Sequence, residues 1–297
     1  MAAGKLHEGE AEIDVELVRR LIDSQFPQYA ASTIEAFPST GTVNAIYRLG
    51  EQLYARLPRV ERWAGHLETE LAWLPSLAPR LSLAVPEPVR RGYPEHGYPF
   101  GWAIFRWLAG ETFEIERVGD ERRAATELAQ FVIELRAIDP TSAPASGRAP
   151  VPQLDAATRH AIATLPPEFD ADAVTAAWER CLTAPSWDGR RPVWRHCDLL
   201  PPNLLVEDGR LKAVIDFGGA GIGDPAADVI AAWSVFGPLG RAAFRDVLDV
   251  DDATWERARG YALHQALLII PYYAATNPGF VVTATRTVER VLADMDA

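Results

Sequence analysis

The sequence predicts an α+β protein of two lobes: a small, mostly antiparallel β lobe with one helix packed on it, then a larger, mainly helical lobe. Three observations predict this. Short β-like runs joined by turn residues crowd the first third of the chain. Long segments with helical apolar spacing follow. A few short strands interrupt that helical part between residues 193 and 215. The expected lobes are 1–107 and 108–297. With 297 residues, 48% of them apolar, the chain can bury a substantial core.

In the first lobe, Ile13, Leu17, Leu21 and Ile22 repeat at helical spacing. β-like runs follow at 33–37, 42–49 and 52–57, the last two joined by a tight turn at Leu49-Gly50-Glu51. A helix is expected over 62–77, ended by Pro79. A strand pair brackets the turn-rich stretch 91–99 and closes at 102–107. In the second lobe, residues 120–138 read as a strong helix stopping at Asp139-Pro140. The Pro-, Ala- and Ser-rich stretch 141–152 reads as a loop. Further helices are expected near 171–183, 224–235, 239–247, 252–274 and 280–294. Strands are expected at 193–195, 204–206 and 211–215.

Charge and cysteine content exclude several classes. Acids outnumber bases 41 to 29, a net charge of −12. This disfavours binding to nucleic acid or an anionic membrane. Cys181 and Cys197 form no metal-ligand pattern and no disulfide framework. The first residues contain no apolar secretory core, and the run Ala266–Ile270 is too short to span a bilayer. A cytoplasmic protein is expected.

The chemistry concentrates between Val193 and Asp228. Asp198, Asn203 and Asp216 each stand at the edge of a short apolar strand. The turn at Glu207-Asp208-Gly209 folds two strands into a hairpin, which brings Asn203 and Asp216 to the same end. Hard oxygen donors in this pattern suit a divalent cation that keeps few protein ligands and adds substrate phosphates. A nearby carboxylate can orient and deprotonate an attacking hydroxyl. The order His196, Asp198, Asn203 (H-x-D-x4-N) has a chance expectation of about 0.004 in this composition. Ile215-Asp216-Phe217-Gly218 follows it.

These motifs resemble those of the aminoglycoside phosphotransferase and choline kinase family, relatives of the protein kinases. The resemblance runs from about residue 30 to 275. It implies a two-lobed protein-kinase-like fold and transfer of the γ-phosphoryl group of ATP or GTP to a small-molecule hydroxyl, with Mg2+. It implies Asp198 as catalytic base, His196 as brace of the catalytic loop, and Asn203 and Asp216 as metal ligands. Gly223–Asp228 resembles the family's GDPxxD segment. Asp224 and Asp228 are expected to be structural, Asp224 because Asp-Pro is also a good helix start. Ser39, Thr40 and Gly41 resemble the phosphate-covering hairpin, where glycine permits close backbone approach. Arg56, a cation on an apolar strand, needs a partner; Glu70 on the next helix is expected, with Glu68 the alternative. Phe105 and Trp107 lie in a stretch resembling the hinge whose backbone binds the purine. Cys197 and Pro202 depart from the pattern, since the family often has glycine at both positions.

The acceptor is less constrained. An aminoglycoside is favoured, as the family's best-known class, with its implication of antibiotic resistance. Asp170, Asp172, Asp251, Asp252 and Glu256 are candidate contacts for its ammonium groups, though each also suits a helix cap or a solvated face. A macrolide would instead use walls such as Trp233, Tyr272, Tyr273 and Phe280. A hydroxylated-metabolite kinase and a nucleotide-binding pseudokinase-like regulator are the other readings. The intact Asp198–Asn203–Asp216 set argues against the last.

Overall fold

A computed structural model of the chain describes residues 10–38, 43–146 and 148–296. The chain divides into two compact units. The first holds the residues up to 79, with 84–109 and 216–218; the second holds 80–83, 110–215 and 219 onwards.

In the first unit, α1 (Val15–Gln25) starts at Asp14, whose Oδ1 accepts the Leu17 N–H at 2.7 Å. This satisfies one of the amides that the first helical turn leaves unpaired. Strands β1 (Ile34–Phe37), β2 (Asn44–Leu49) and β3 (Leu53–Pro58) precede α2 (Glu61–Leu77). Strands β4 (Pro88–Gly92) and β5 (Trp102–Arg106) follow. They form one antiparallel sheet in the order β1-β2-β3-β5-β4. The buried face of α1, Leu17, Val18, Leu21 and Ile22, packs with Tyr47, Leu57, Trp102 and Ile104 of the sheet. The opening segment thus contributes a second helix to the β unit beside α2.

The second unit opens with β6 (Glu111–Thr112) and α3 (Glu121–Ala137), which is capped by Asp120. Next come α4 (Asp155–Ala163) and α5 (Ala171–Leu182). Strand β7 (Val193–Arg195) leads to the hairpin of β8 (Leu204–Glu207) and β9 (Arg210–Val214). Then come β10 (Gly221–Gly223), α6 (Ala231–Ser234), α7 (Pro238–Leu248), α8 (Asp252–Tyr273) and α9 (Pro278–Met295). Strand β10 pairs with β7, and β6-β8-β9 form a second small sheet. Leu128, Phe131, Val132, Trp233, Phe236, Phe244, Leu263 and Leu267 are buried in this unit. At roughly 1.5–3 kcal/mol for each large apolar side chain removed from water, they hold α3, α7 and α8 in place.

Three elements were not anticipated, the two-residue strand β6 (Glu111–Thr112) among them. Helix α4 is short, and only Thr158, Ala161 and Ile162 on it are buried, so its apolar periodicity is faint. Strand β10 is a three-residue Gly-Ile-Gly segment, defined by its pairing with β7. The helix expected over 224–235 is instead a 3₁₀ turn, Pro225–Asp228, followed by the four-residue α6. Its two aspartates hold other parts of the unit and interrupt a regular helix, as described next.

Candidate active site

Five residues separate β7 from the 3₁₀ turn Pro201–Asn203, and this loop carries Asp198. Its backbone is held from both sides. The fully buried carboxylate of Asp228 accepts the His196 N–H at 2.9 Å and the Cys197 N–H at 2.7 Å. Asp224 accepts from Arg257 Nε at 2.8 Å and from the Ala226 N–H at 3.0 Å. Both aspartates therefore serve the architecture, Asp228 by gripping the loop and Asp224 by anchoring the turn to α8.

His196 is fully buried. Its Nδ1 accepts the Asp198 N–H at 3.2 Å, so the ring proton sits on Nε2, which donates to Ile215 O at 3.0 Å. One imidazole thereby ties the loop to the residue after β9. Asn203 donates from Nδ2 to Asp198 Oδ2 at 2.7 Å and to Asp198 O at 2.9 Å. Its own carbonyl accepts the Ile215 N–H at 2.9 Å. The hairpin thus places Asn203 beside Ile215, and Asp216 is the next residue along. With its amide nitrogen engaged by Asp198, Asn203 retains its side-chain oxygen for a cation.

Cys197 has φ +73, a left-handed conformation that costs a non-glycine residue about 1–2 kcal/mol. This explains physically why a glycine suits the position. Burial pushes the Cys197 thiol up to about 11, so it is a packed side chain and not a nucleophile. Pro201 and Pro202 open the 3₁₀ turn, where no amide donor is required.

In the first unit, Arg56 Nη1 donates to Glu70 Oε2 at 2.5 Å, and Nη2 donates to Asp216 Oδ1 at 3.2 Å. Oriented to satisfy both groups, the Asn44 side-chain oxygen accepts from Arg56 Nε and Nη2, each at 2.9 Å. Glu70 is fully buried, and its Oε1 accepts the Phe217 N–H at 2.7 Å. Burial alone would lower the pKa of Arg56; Glu70 and Asp216 together raise it above the ordinary value. Burial also pushes the Glu70 carboxyl up, against the opposing pull of Arg56. Glu68, the alternative partner, instead pairs with Arg91 at 2.8 Å. Asp216 has φ +66 and keeps 41% of its side chain exposed. Gly218 lies so close to His66 that an added Cβ would stand 2.6 Å from it, hence a glycine there.

Ser39, Thr40 and Gly41 lie outside the described residues. Phe105 is fully buried in β5, its backbone paired with Tyr54 and Pro88. The Trp107 N–H is already committed to Gln52 O at 2.8 Å, and its ring lies under Arg48, 3.9 Å from the guanidinium. Two contributors went unnoticed in the sequence, Arg148 and Gln265; Asn44 stood at the end of the expected phosphate-covering hairpin, but its bond to Arg56 was not foreseen. Gln265 Nε2 donates to Asp198 Oδ1. Arg148 Nη2 donates to Cys197 O at 2.5 Å and to Gln265 Oε1 at 3.1 Å. The available signal was His264-Gln265, a polar pair inside the otherwise apolar run 261–270.

The chemistry of the donors, taken residue by residue, is of the kind a magnesium ion takes. Asn203 and Asp216 offer hard oxygens, and few protein ligands leave room for phosphates. Among the described residues, no group of three or more His, Cys, Asp or Glu side chains could hold a metal by itself.

The chain matches the phosphotransferase enzyme family APH over residues 34–261 and belongs to that family. It is thus a small-molecule phosphotransferase with a two-lobed kinase-like fold. Comparison with curated proteins finds no match. Among solved structures, the chain is similar to the GDP and kanamycin complex of APH(2")-IIIa, with TM-score 0.75 and 20% identity over 95% of this chain and 99% of that one. It is also similar to the gentamicin complex of APH(2")-IIa, with TM-score 0.63 and 16% identity over 94% and 97%. A third likeness is to macrolide 2'-phosphotransferase MphH from Brachybacterium faecium, with TM-score 0.60 and 21% identity over 93% and 97%. No helix among the described residues is long and apolar enough to cross a membrane.

Proposed function

We propose that this phosphotransferase moves the γ-phosphoryl group of ATP or GTP to a hydroxyl of a small-molecule acceptor, with Asp198 as the base. The observation that carries the reading is the Asp198 carboxylate itself: both oxygens are held by side-chain amides, and its backbone is tied to His196. A fixed carboxylate can orient an attacking hydroxyl and take up its proton. His196 acts as a brace. Asn203 and Asp216 would hold Mg2+, which when bound neutralises charge on the phosphates. Arg56, oriented by Glu70, would face phosphate oxygens. Residues 1–107 would cover the nucleotide, with Ser39-Thr40-Gly41 meeting the phosphates; the Phe105 backbone and the Trp107 N–H are already paired, so the base would meet the stretch just beyond them, at Leu108. Residues 108–297 would carry the acceptor pocket.

An aminoglycoside is the favoured acceptor, supported by the likeness to a kinase solved with kanamycin and GDP. A specific observation favours a second reading, an acceptor with an apolar face such as a macrolide. Three of the acids considered for ammonium groups are engaged elsewhere: Asp251 caps α8, Asp170 caps α5, and Glu256 pairs with Arg180. Beside Gln265, Leu200, Ala266, Ile269 and Phe280 form an apolar surface around a cavity of about 10 Å³, room for one water and not for the acceptor itself.

The test is ADP and GDP release, with magnesium, across aminoglycosides, macrolides and hydroxylated metabolites. Asp198→Ala should lower turnover by about 10²-fold or more while nucleotide still binds. Asp216→Ala should lose magnesium-dependent nucleotide affinity. Native turnover by Asp198→Ala would remove it as the base, and unchanged affinity in Asp216→Ala would overturn the metal assignment.

A further inference from the structure

We propose that Gln265 is a positioning residue for Asp198, kept in register by Arg148; the inference rests on the reading of Asp198 as the base. Gln265 is a polar amide in the apolar run Ala262–Ile270 of α8. It borders the apolar cavity beside Leu200 and Phe280, where a side chain of methionine shape would pack as well. Burying an amide there is costly unless both of its ends are satisfied. Both are. Nε2 donates to Asp198 Oδ1, and Oε1 accepts from Arg148 Nη2 at 3.1 Å.

The order of these bonds carries the argument. A guanidinium can only donate, so Arg148 fixes which end of the amide it meets and leaves the N–H end for Asp198. The same Arg148 nitrogen holds Cys197 O at 2.5 Å, one residue before Asp198. Asn203 meets the other carboxylate oxygen at 2.7 Å. The carboxylate is thereby clamped between two amides, one from the loop and one from α8. Its rotation about the Cβ–Cγ bond, otherwise soft, is arrested. A base held in one orientation avoids the loss of rate that a freely turning carboxylate would suffer.

The experiment uses the full chain with magnesium and reads hydrolysis of ATP or GTP with water as the acceptor, a probe that requires no known acceptor. Gln265→Met should lower kcat about 10-fold or more, with the nucleotide KM and the melting temperature unchanged. Gln265→Leu has no N–H for Asp198 and brings no new charge beside it; it should show the same loss if Gln265→Met does not fold. In an Arg148→Met background, Gln265→Met should change kcat by less than about 2-fold, because the amide has already lost its orientation. Native kcat in both Gln265 variants, or equal losses in the presence and absence of Arg148, would overturn the proposal. A KM that rises or a melting temperature that falls alongside the loss of kcat would do the same, since that is the signature of a structural role. Asp198→Ala runs beside them. If it hydrolyses at the native rate, the base assignment fails and the proposal with it. If it is inactive and the Gln265 variants are not, the proposal alone falls.

Discussion

Cys197 and Asp216 are two non-glycine residues in the left-handed region, and both lie in the segment proposed above to carry the chemistry. Strain of this kind persists only where surrounding bonds over-determine the backbone. At Cys197 those bonds are visible: its N–H goes to Asp228 and its carbonyl to Arg148. Neither uses the side chain, but the thiol is buried and donates to Arg195 O, so a substitution changes packing as well as backbone freedom. Cys197→Gly should fold with stability within about 1 kcal/mol of native, because relief of strain opposes the greater freedom of glycine in the unfolded chain. Cys197→Val, β-branched at positive φ, should cost about 2 kcal/mol more than the glycine variant. Urea denaturation of the pair reads the difference; equal midpoints would mean that the conformation carries no strain. At this scale the motif residues were legible from type and spacing alone. Gln265 and Arg148 were not, because Gln265 reaches Asp198 from 67 positions away and Arg148 reaches Cys197 from 49.

At the scale of elements, caps and apolar periodicity did most of the specifying. Helices α1, α3, α5 and α8 each begin at an aspartate that accepts an amide proton of the first turn. Asp251 is representative. Hydrogen bonds from Thr254 hold its carboxyl below the ordinary range. Asp251→Ala should therefore destabilise the protein by about 1 kcal/mol, seen in thermal or urea unfolding, and leave turnover unaltered. Lost turnover at unchanged stability would instead return Asp251 to the acceptor pocket. Where periodicity was faint or overridden, the sequence misled. Helix α4 buries too little apolar surface to announce itself. The segment after Asp224 reads as a helix, yet Asp228 must turn its carboxylate towards His196 and Cys197, and the chain there adopts a 3₁₀ turn.

The whole molecule is a set of buried polar networks within apolar cores, and one of these has a pH consequence. His264 Nδ1 donates to Thr158 Oγ1 at 2.9 Å, the Thr158 hydroxyl itself donating to Leu154 O. Burial first, and the Arg148 charge second, lower the His264 pKa to about 4. Above pH 6.5 the ring is neutral whether the chain is folded or not. Between about 6.5 and 4 only the unfolded chain takes up the proton, so stability falls with pH across that window. The loss should reach about 3 kcal/mol by pH 4. Urea unfolding at pH 7, 5.5 and 4.5 should show it, and His264→Gln should flatten the slope. The same slope in both proteins would place the acid sensitivity elsewhere.

The sequence by itself determined the α+β class, most helix starts, the β8–β9 hairpin and the Asp198–Asn203–Asp216 set, because capping, periodicity and motif spacing are local properties of the chain. Arg56 pairs with the Glu70 that the sequence favoured over Glu68; the tertiary structure alone decided that Asp228 grips the loop carrying Asp198 and that Gln265 clamps Asp198. Each of those contacts joins residues far apart in the chain, and only the packing of cores around them determines which polar groups meet.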